Sequence, residues 1–506
     1  MHYLNQRTLA QYPRLNHFLA NPFRFLIKDE LRQLLILDYY QFLSSHIFPV
    51  LKVNFVTFLC SINHLEGLKQ LFAIPANSLF NIRVKHQLKA MVKERHYYAF
   101  REAAENGHVE VLRFLAEKMP NKISAMIKAM DYYAFRWAAA NGRLEVLKFL
   151  ADQAPKKLQI MIAKRHYYAF RIAFTNGHVA ILKYLAKQAP DKLQAMIAAL
   201  STEEFNEAVI GGHLLAIKYL ATLAPVRFQS LVTANNYDAF SLAAKKGHLA
   251  ILIYFAQQMP NKLKDMIAAK DYKAFRWAAM NGHLIILHYF AQQMIDKLKT
   301  MITAKNYEAF RQAAINGHLA ILNYFAEQML DKLQEMIAAL NNDEFLKIAV
   351  KGDLLVIKYL AEQAPDKLQN MIAATSSKFL RIIKSGHLPM LDYFAKQAPD
   401  KFQAILVMNN DAALQAAKID RYDIVNFLLN QHAPLYNQLH ISQQEQLKKW
   451  RYDNSIIHHD LSKLVKEANT ATYILTLAKN TMVFFKPAKT ILESKPINSA
   501  APICQI

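Results

Sequence analysis

One column of histidines and two rows of larger side chains carry the chemistry this sequence offers, and all recur at a fixed interval. His108, His178, His213, His248, His283, His318 and His387 each follow a glycine. Imidazoles in such a series invite a metal or acid–base reading. Stacked helices lie about 8–10 Å apart, too far to share an ion. Arg143 and Asp353 occupy the equivalent place in two copies. The expectation is hydrogen bonding in the turn between helices, with no metal site. His458, His459 and Asp460 read as a helix start rather than a ligand set.

The first row combines Arg101, Arg136, Arg171, Arg276 and Arg311 with Tyr132, Tyr167, Tyr272 and Tyr307, and with Trp137 and Trp277. Tyr97 and Tyr237 extend the tyrosine series. Arginine, tyrosine and tryptophan are the residue types enriched at binding hot spots, so this row is the expected partner-binding surface. Packing by the tyrosines and satisfaction of local carbonyls by the arginines is the competing reading. The second row is basic: Lys122, Lys157, Lys192, Arg227, Lys262, Lys297, Lys332, Lys367 and Lys401. One cation per layer suits a polyanion or an acidic surface, nucleic acid or acidic lipid. Asp191, Asp296, Asp331, Asp366 and Asp400 directly precede five of these residues, which favours a solvated mixed-charge edge.

No catalytic constellation emerges. The chain contains no Gly-rich phosphate loop, His-Glu-x-x-His, Gly-x-Ser-x-Gly or Cys-x-x-Cys, and 11 glycines in 506 residues leave little room for nucleotide-cradling loops. A protein without enzyme activity or cofactor is expected. Two cysteines, Cys60 and Cys504, are too few for a disulfide framework and fit a reducing compartment. Cys504 is also misplaced for a prenylation box. The net charge of +23 favours anionic partners without choosing among them. No secretory signal is read at the start. The stretch 42–62 is apolar, but His46, Lys52 and Asn54 interrupt it, so no transmembrane span is expected.

The elements that position these rows come from an internal repeat. Phe100, Phe135, Phe170, Phe205, Phe240, Phe275, Phe310 and Phe345 share one position, and the step between neighbours is 135 − 100 = 35. Such a period marks a solenoid. Each copy divides into three helical pieces. Phe100, Ala103 and Ala104 form one buried stripe, closed by Asn106 and Gly107. Val111, Leu112 and Leu115 form a second, antiparallel because the connection is short. Pro190, Leu193, Met196 and Ile197 typify the third, with proline suited to a first helical turn. Ile295 and Leu330 replace that proline in two copies.

The string Ala103-Ala104-Glu-Asn-Gly107-His108-Val-Glu-Val-Leu-Arg-Phe-Leu resembles the core of ankyrin repeats, and similar strings surround Gly177, Gly247, Gly282 and Gly317. The family's Thr-Pro-Leu-His opening becomes Tyr98-Ala99-Phe100-Arg101, and its β-hairpin finger gives way to the third helical piece. The resemblance implies an all-α, ankyrin-like solenoid with a short helix in place of the finger. It implies a monomeric protein–protein interaction module, and its divergent, basic character resembles effectors that intracellular bacteria deliver into host cells. A cytoplasmic location follows, in the bacterium or in the host. The expected organisation is a helical cap over 1–50, a degenerate repeat over 51–92 and regular repeats over 93–433. A C-terminal helical segment over 434–487, with helices near 443–450 and 461–479, and a disordered tail over 488–506 complete it.

Overall fold

The computed structural model describes residues 55–73 and 79–467. The expected cap, the tail with Cys504, and most of the 42–62 stretch lie outside these residues. Among the described residues every regular element is helical and no strand occurs, giving an all-α repeat solenoid. No helix there is long and apolar enough to cross a membrane. The chain divides into two compact units, Met1–Leu340 and Asn341–Ile506.

In the first unit each repeat opens with a helix that buries its phenylalanine: Phe100, Phe135, Phe205, Phe240, Phe275 and Phe310 have no exposed surface. That ring packs on the outer helix of the following repeat, as in Phe240 with Phe290 at 5.7 Å and Phe275 with Phe325 at 5.8 Å between ring centroids. These rings therefore carry the core across the boundary between repeats. The helix stops at a glycine in the left-handed region. Gly107 has φ +91°, its N–H donates to the Ala104 carbonyl, and the His108 N–H donates to that of Ala103, closing a Schellman motif.

The outer helix follows at once, for example Val109–Lys118, and then the third element. In most repeats this begins as a 3-10 turn such as Pro120–Lys122 and continues as helix, burying Met126 and Ile127. A helix thus stands where a hairpin finger was not expected. It does not end before the next repeat. Ile123–Ala140 runs through Met130, Asp131 and Tyr132, all near φ +50° to +60°, and resumes as the next first helix. Three consecutive left-handed residues join five further pairs of segments, ending at Tyr97, Tyr167, Tyr237, Tyr272 and Tyr307. The middle residue is always one that tolerates this region better than most: His96, Asp131, His166, Asn236, Asp271 or Asn306. Before Thr202–Ile210 the junction differs, because Ser201 and Glu204 form a reciprocal capping box.

A second inter-repeat device runs along the glycine edge. A Cβ on Gly282 would meet the His318 ring at 2.9 Å, and one on Gly142 would meet His178 at the same distance. The imidazole then reaches a backbone carbonyl of the preceding repeat: His178 Nε2 to Ala140 O and His248 Nε2 to Ile210 O, both at 2.9 Å. His108, His283 and His318 bond in the same way to Ser61, Lys245 and Met280. These five histidines thus bridge repeats rather than closing their own turn. Arg143 substitutes by sending Nε to the Glu105 carbonyl at 3.4 Å, so its copy is compensated after all.

In the second unit Asn341 and Glu344 form another capping box, His387 covers Gly352, and Phe345 stacks on Phe394 at 5.9 Å. One helix, Ile441–Glu467, spans the start of both C-terminal windows expected to hold separate helices. Its interior has no Gly or Pro to end it.

Two stability outcomes are expected from thermal or urea unfolding. Gly282→Ala places a Cβ both at φ +82° and against His318, and should destabilise by about 1–3 kcal/mol. Phe240→Ala opens an inter-repeat cavity and should cost about 3–5 kcal/mol, whereas exposed Lys262→Ala should change little.

Candidate interaction face

The arginine row sits on the first helices, four residues after the last left-handed residue, and that spacing sets its role. Arg136 Nε donates to the Asp131 carbonyl and its Nη2 to the Met130 carbonyl, each at 3.0 Å. Arg276 repeats the pair on Asp271 and Lys270 at 3.0 and 2.9 Å. Arg101 bonds to His96 and Arg95, Arg171 to His166 and Arg165, and Arg311 to Asn306 and Lys305. Each guanidinium spans the turn that precedes it. Three non-glycine residues in the left-handed region cost about 1–2 kcal/mol each. Two bonds from a charged donor return about 1.5–3 kcal/mol each, enough to offset that strain.

This duty is the competing reading of the row, in which the arginines satisfy local carbonyls. Arg101, Arg136 and Arg276 are buried, with 6%, 5% and 9% of their surface exposed. Their remaining contacts are also internal. Arg101 lies between the Tyr98 and Tyr133 rings at 5.1 and 4.7 Å, and Arg136 between Tyr133 and Tyr168 at 5.9 and 5.4 Å. The stack ends at Arg171, which faces Tyr168 and pairs with Glu204. Arg276 pairs with Glu308. The Tyr98, Tyr133 and Tyr168 rings were not singled out by sequence. Their signal was a tyrosine three residues before each arginine.

Tyr132 is buried, and Tyr167, Tyr272 and Tyr307 are half-buried at the ends of their turns. The Tyr307 hydroxyl donates to Glu335 at 2.8 Å, and burial followed by this carboxylate pushes its pKa up to about 12. Tyr133 donates to Glu105 at 3.1 Å. Burial, then Glu105, raises the Tyr133 pKa, while burial raises that of Glu105.

What the first helices leave accessible is a different set. Trp137, Ile172, Leu242 and Trp277 occupy the position after the arginine column and are all half-buried. Trp137 stacks on Tyr133 at 5.4 Å, which fixes the indole. Trp277 is held between two ammonium groups, Lys245 at 4.9 Å and Lys273 at 3.9 Å. Lys273 is anchored by Asp238 at 2.7 Å. The result is an aromatic and aliphatic stripe on rigid helices, preceded by Glu102 and interrupted between Ile172 and Leu242 by the exposed Glu207, with Lys245 beside Trp277.

The basic row is only partly free. Lys192 donates to Gln159, Lys262 pairs with Asp265 at 3.5 Å, Lys332 pairs with Glu335, and Arg227 donates to the Leu200 carbonyl. Lys122, Lys157 and Lys297 are exposed and make no ion pair among the described residues of their unit. In the second unit Lys401 donates to Asn370, and Lys367 is half-exposed.

Among the described residues, no group of three or more His, Cys, Asp or Glu is placed to hold a metal ion. Cys60 is buried and its thiol pKa is raised by burial. A polar cavity of about 640 Å³ in the second unit is lined by Asn341, Asp343, Lys347, Ser377 and Lys378, and its Asp343 and Lys378 are paired at 2.5 Å.

His213 departs from His108, His178, His248, His283 and His318. Its ring covers Gly177 and Gly211, but its Nε2 reaches no carbonyl among the described residues. Burial first, then His178 and His248, lowers its pKa. Because the folded value lies below the unfolded value of about 6.5, the unfolded chain binds the proton more tightly. Stability from neutral His213 is present above that value and lost as pH falls through the folded pKa. Wild type should therefore lose more stability than His213→Gln between neutral and mildly acidic pH, as read by pH-dependent urea unfolding.

No family model matches the chain, and no curated protein does. Among solved structures, an ankyrin repeat family protein from Legionella pneumophila is similar at 21% identity, over 61% of this chain and 79% of that one, with a TM-score of 0.22.

Proposed function

We propose that the chain is a non-catalytic, ankyrin-like protein-interaction module whose first helices present the stripe of Trp137, Ile172, Leu242 and Trp277 to a protein partner. The observation that carries this reading is the pair of immobilised indoles. One is stacked on a tyrosine and the other clamped by two lysines, so each offers a large apolar surface at little cost in side-chain freedom. The arginines contribute indirectly, by holding the helices that carry the indoles. The reading extends to an effector acting on a host protein, an extension supported by sequence resemblance.

Nucleic acid is the rival occupant, and it would use the free lysines. Capture from nuclease-treated host lysate on full-length protein supplies the partner, and titration with that partner then separates the two. Trp137→Ala with Trp277→Ala should cost about 2 kcal/mol or more of binding each, with helix content and unfolding midpoint retained. Lys122→Glu, Lys157→Glu and Lys297→Glu together should change it far less. The reverse ranking, with steep salt dependence and competition by polyanions, would overturn the proposal.

A further inference from the structure

The outer helices change character along the first unit. In the repeats at 109–118 and 144–153 their solvent face is charged, with Glu110 paired to Arg113 at 3.5 Å and Glu145 to Lys148 at 2.7 Å. In Leu214–Leu223, Leu249–Gln258 and Leu284–Gln293 the same face carries one charged residue, Lys218. Leu215, Ala250, Ile253 and Ile285 take charged positions of the earlier repeats, while His288, Thr222 and glutamines take most of the rest. Leu215 and Ile285 are each 70% exposed, and Ile253 is 36% exposed. Val226 and Ile295, just beyond the ends of two of these helices, reach 81% and 78%. A cluster this exposed on one face is what interaction with another phase or molecule requires.

Neighbouring outer helices lie side by side, because Lys218 sits over the Tyr254 ring at 5.4 Å and His288 meets Tyr324 at 4.5 Å. The apolar tips therefore project from one bed. Tyr219, Tyr254 and Tyr289 run through its middle, half-buried. Along its border the third elements of two of these repeats hold Lys262, Lys264, Lys297 and Lys299 against Asp265 and Asp296. Leu215, Ile253 and Ile285 stand on three separate helices.

We infer that this outer face docks on an anionic lipid bilayer. Isolated aliphatic tips enter the headgroup–acyl boundary, the tyrosines sit at headgroup depth with one end apolar and the other wet, and the bordering lysines meet acidic headgroups. Apolar insertion and charge act together, which suits a reversible peripheral contact. The inference stands apart from the protein-binding stripe, which lies on the first helices.

The test is co-sedimentation of the full-length chain with phosphatidylcholine vesicles, with and without phosphatidylserine. Wild type should bind the anionic vesicles at least about tenfold more tightly, and added salt should weaken it. Val226→Ser, Ile285→Ser and Ile295→Ser together remove apolar surface without altering charge, and should lower binding about tenfold or more while helix content stays constant. Lys262→Gln, Lys264→Gln, Lys297→Gln and Lys299→Gln should weaken binding and flatten its salt dependence. No binding to anionic vesicles, or equal binding by the serine variant, would overturn the inference. So would a concentration-dependent dimer in sedimentation velocity that the serine variant abolishes, since the face would then serve self-association.

Discussion

The structure depends on one local bargain: three consecutive left-handed residues held by an arginine that reaches back to two of their carbonyls. Without the turn, the third element of one repeat would not pass into the first helix of the next in this register. Without the guanidinium, the turn would carry its strain uncompensated. The same cation lies between tyrosine rings of two neighbouring repeats, so a local staple becomes a link along the array. One turn departs from the scheme. Asn235–Tyr237 adopts the left-handed conformation, but Ser241 stands where the arginine would be, and its buried hydroxyl has no hydrogen-bond partner among the described residues. Asp238, the residue after this turn, pairs with both Lys270 and Lys273 of the next repeat.

Three surfaces of the first unit therefore divide the work. The glycine edge couples repeats through imidazole–carbonyl bonds. The first helices carry indoles fixed by neighbours that are themselves fixed. The outer helices, which make fewer inter-repeat hydrogen bonds, are free to exchange charge for aliphatic surface, and they do so within three consecutive repeats. Because a repeat touches mainly its neighbours, each surface can vary along the array without disturbing the core.

Much of this was legible in the sequence. The 35-residue phenylalanine period, the glycine stops and the proline-led third element follow from patterns that sterics enforce, and the structure reproduces them. The left-handed junction was not read. Runs of non-glycine residues in that region are rare, so helical periodicity alone points to an ordinary break. A signal was present nonetheless, since His96, Asp131, His166, Asn236, Asp271 and Asn306 each precede a tyrosine at the same phase. The arginines were read as candidate anchors because residue type reports what a side chain can do, not which carbonyls lie five and six residues behind it in space. Trp137 and Trp277 stay half-buried on the first helices, because aromatic bulk beside a buried column has few places to go. Arg143 shows the converse, where a substitution that looks uncompensated in sequence restores its contact through a longer side chain.

The glycine–histidine edge also bears on how such an array can grow. Each rung takes its glycine from one repeat and its histidine from the next, so neither half has meaning inside a single copy. A duplication that inserts a whole 35-residue unit carries a new glycine for the old histidine and a new histidine for the old glycine, and the ladder closes again. Where the chain between them is longer the rung still closes: His108 reaches Ser61 across 47 residues, against the 38 that separate His178 from Ala140. The edge thus ties together whichever repeats are neighbours in the stack, and extra chain between two rungs is accommodated outside it.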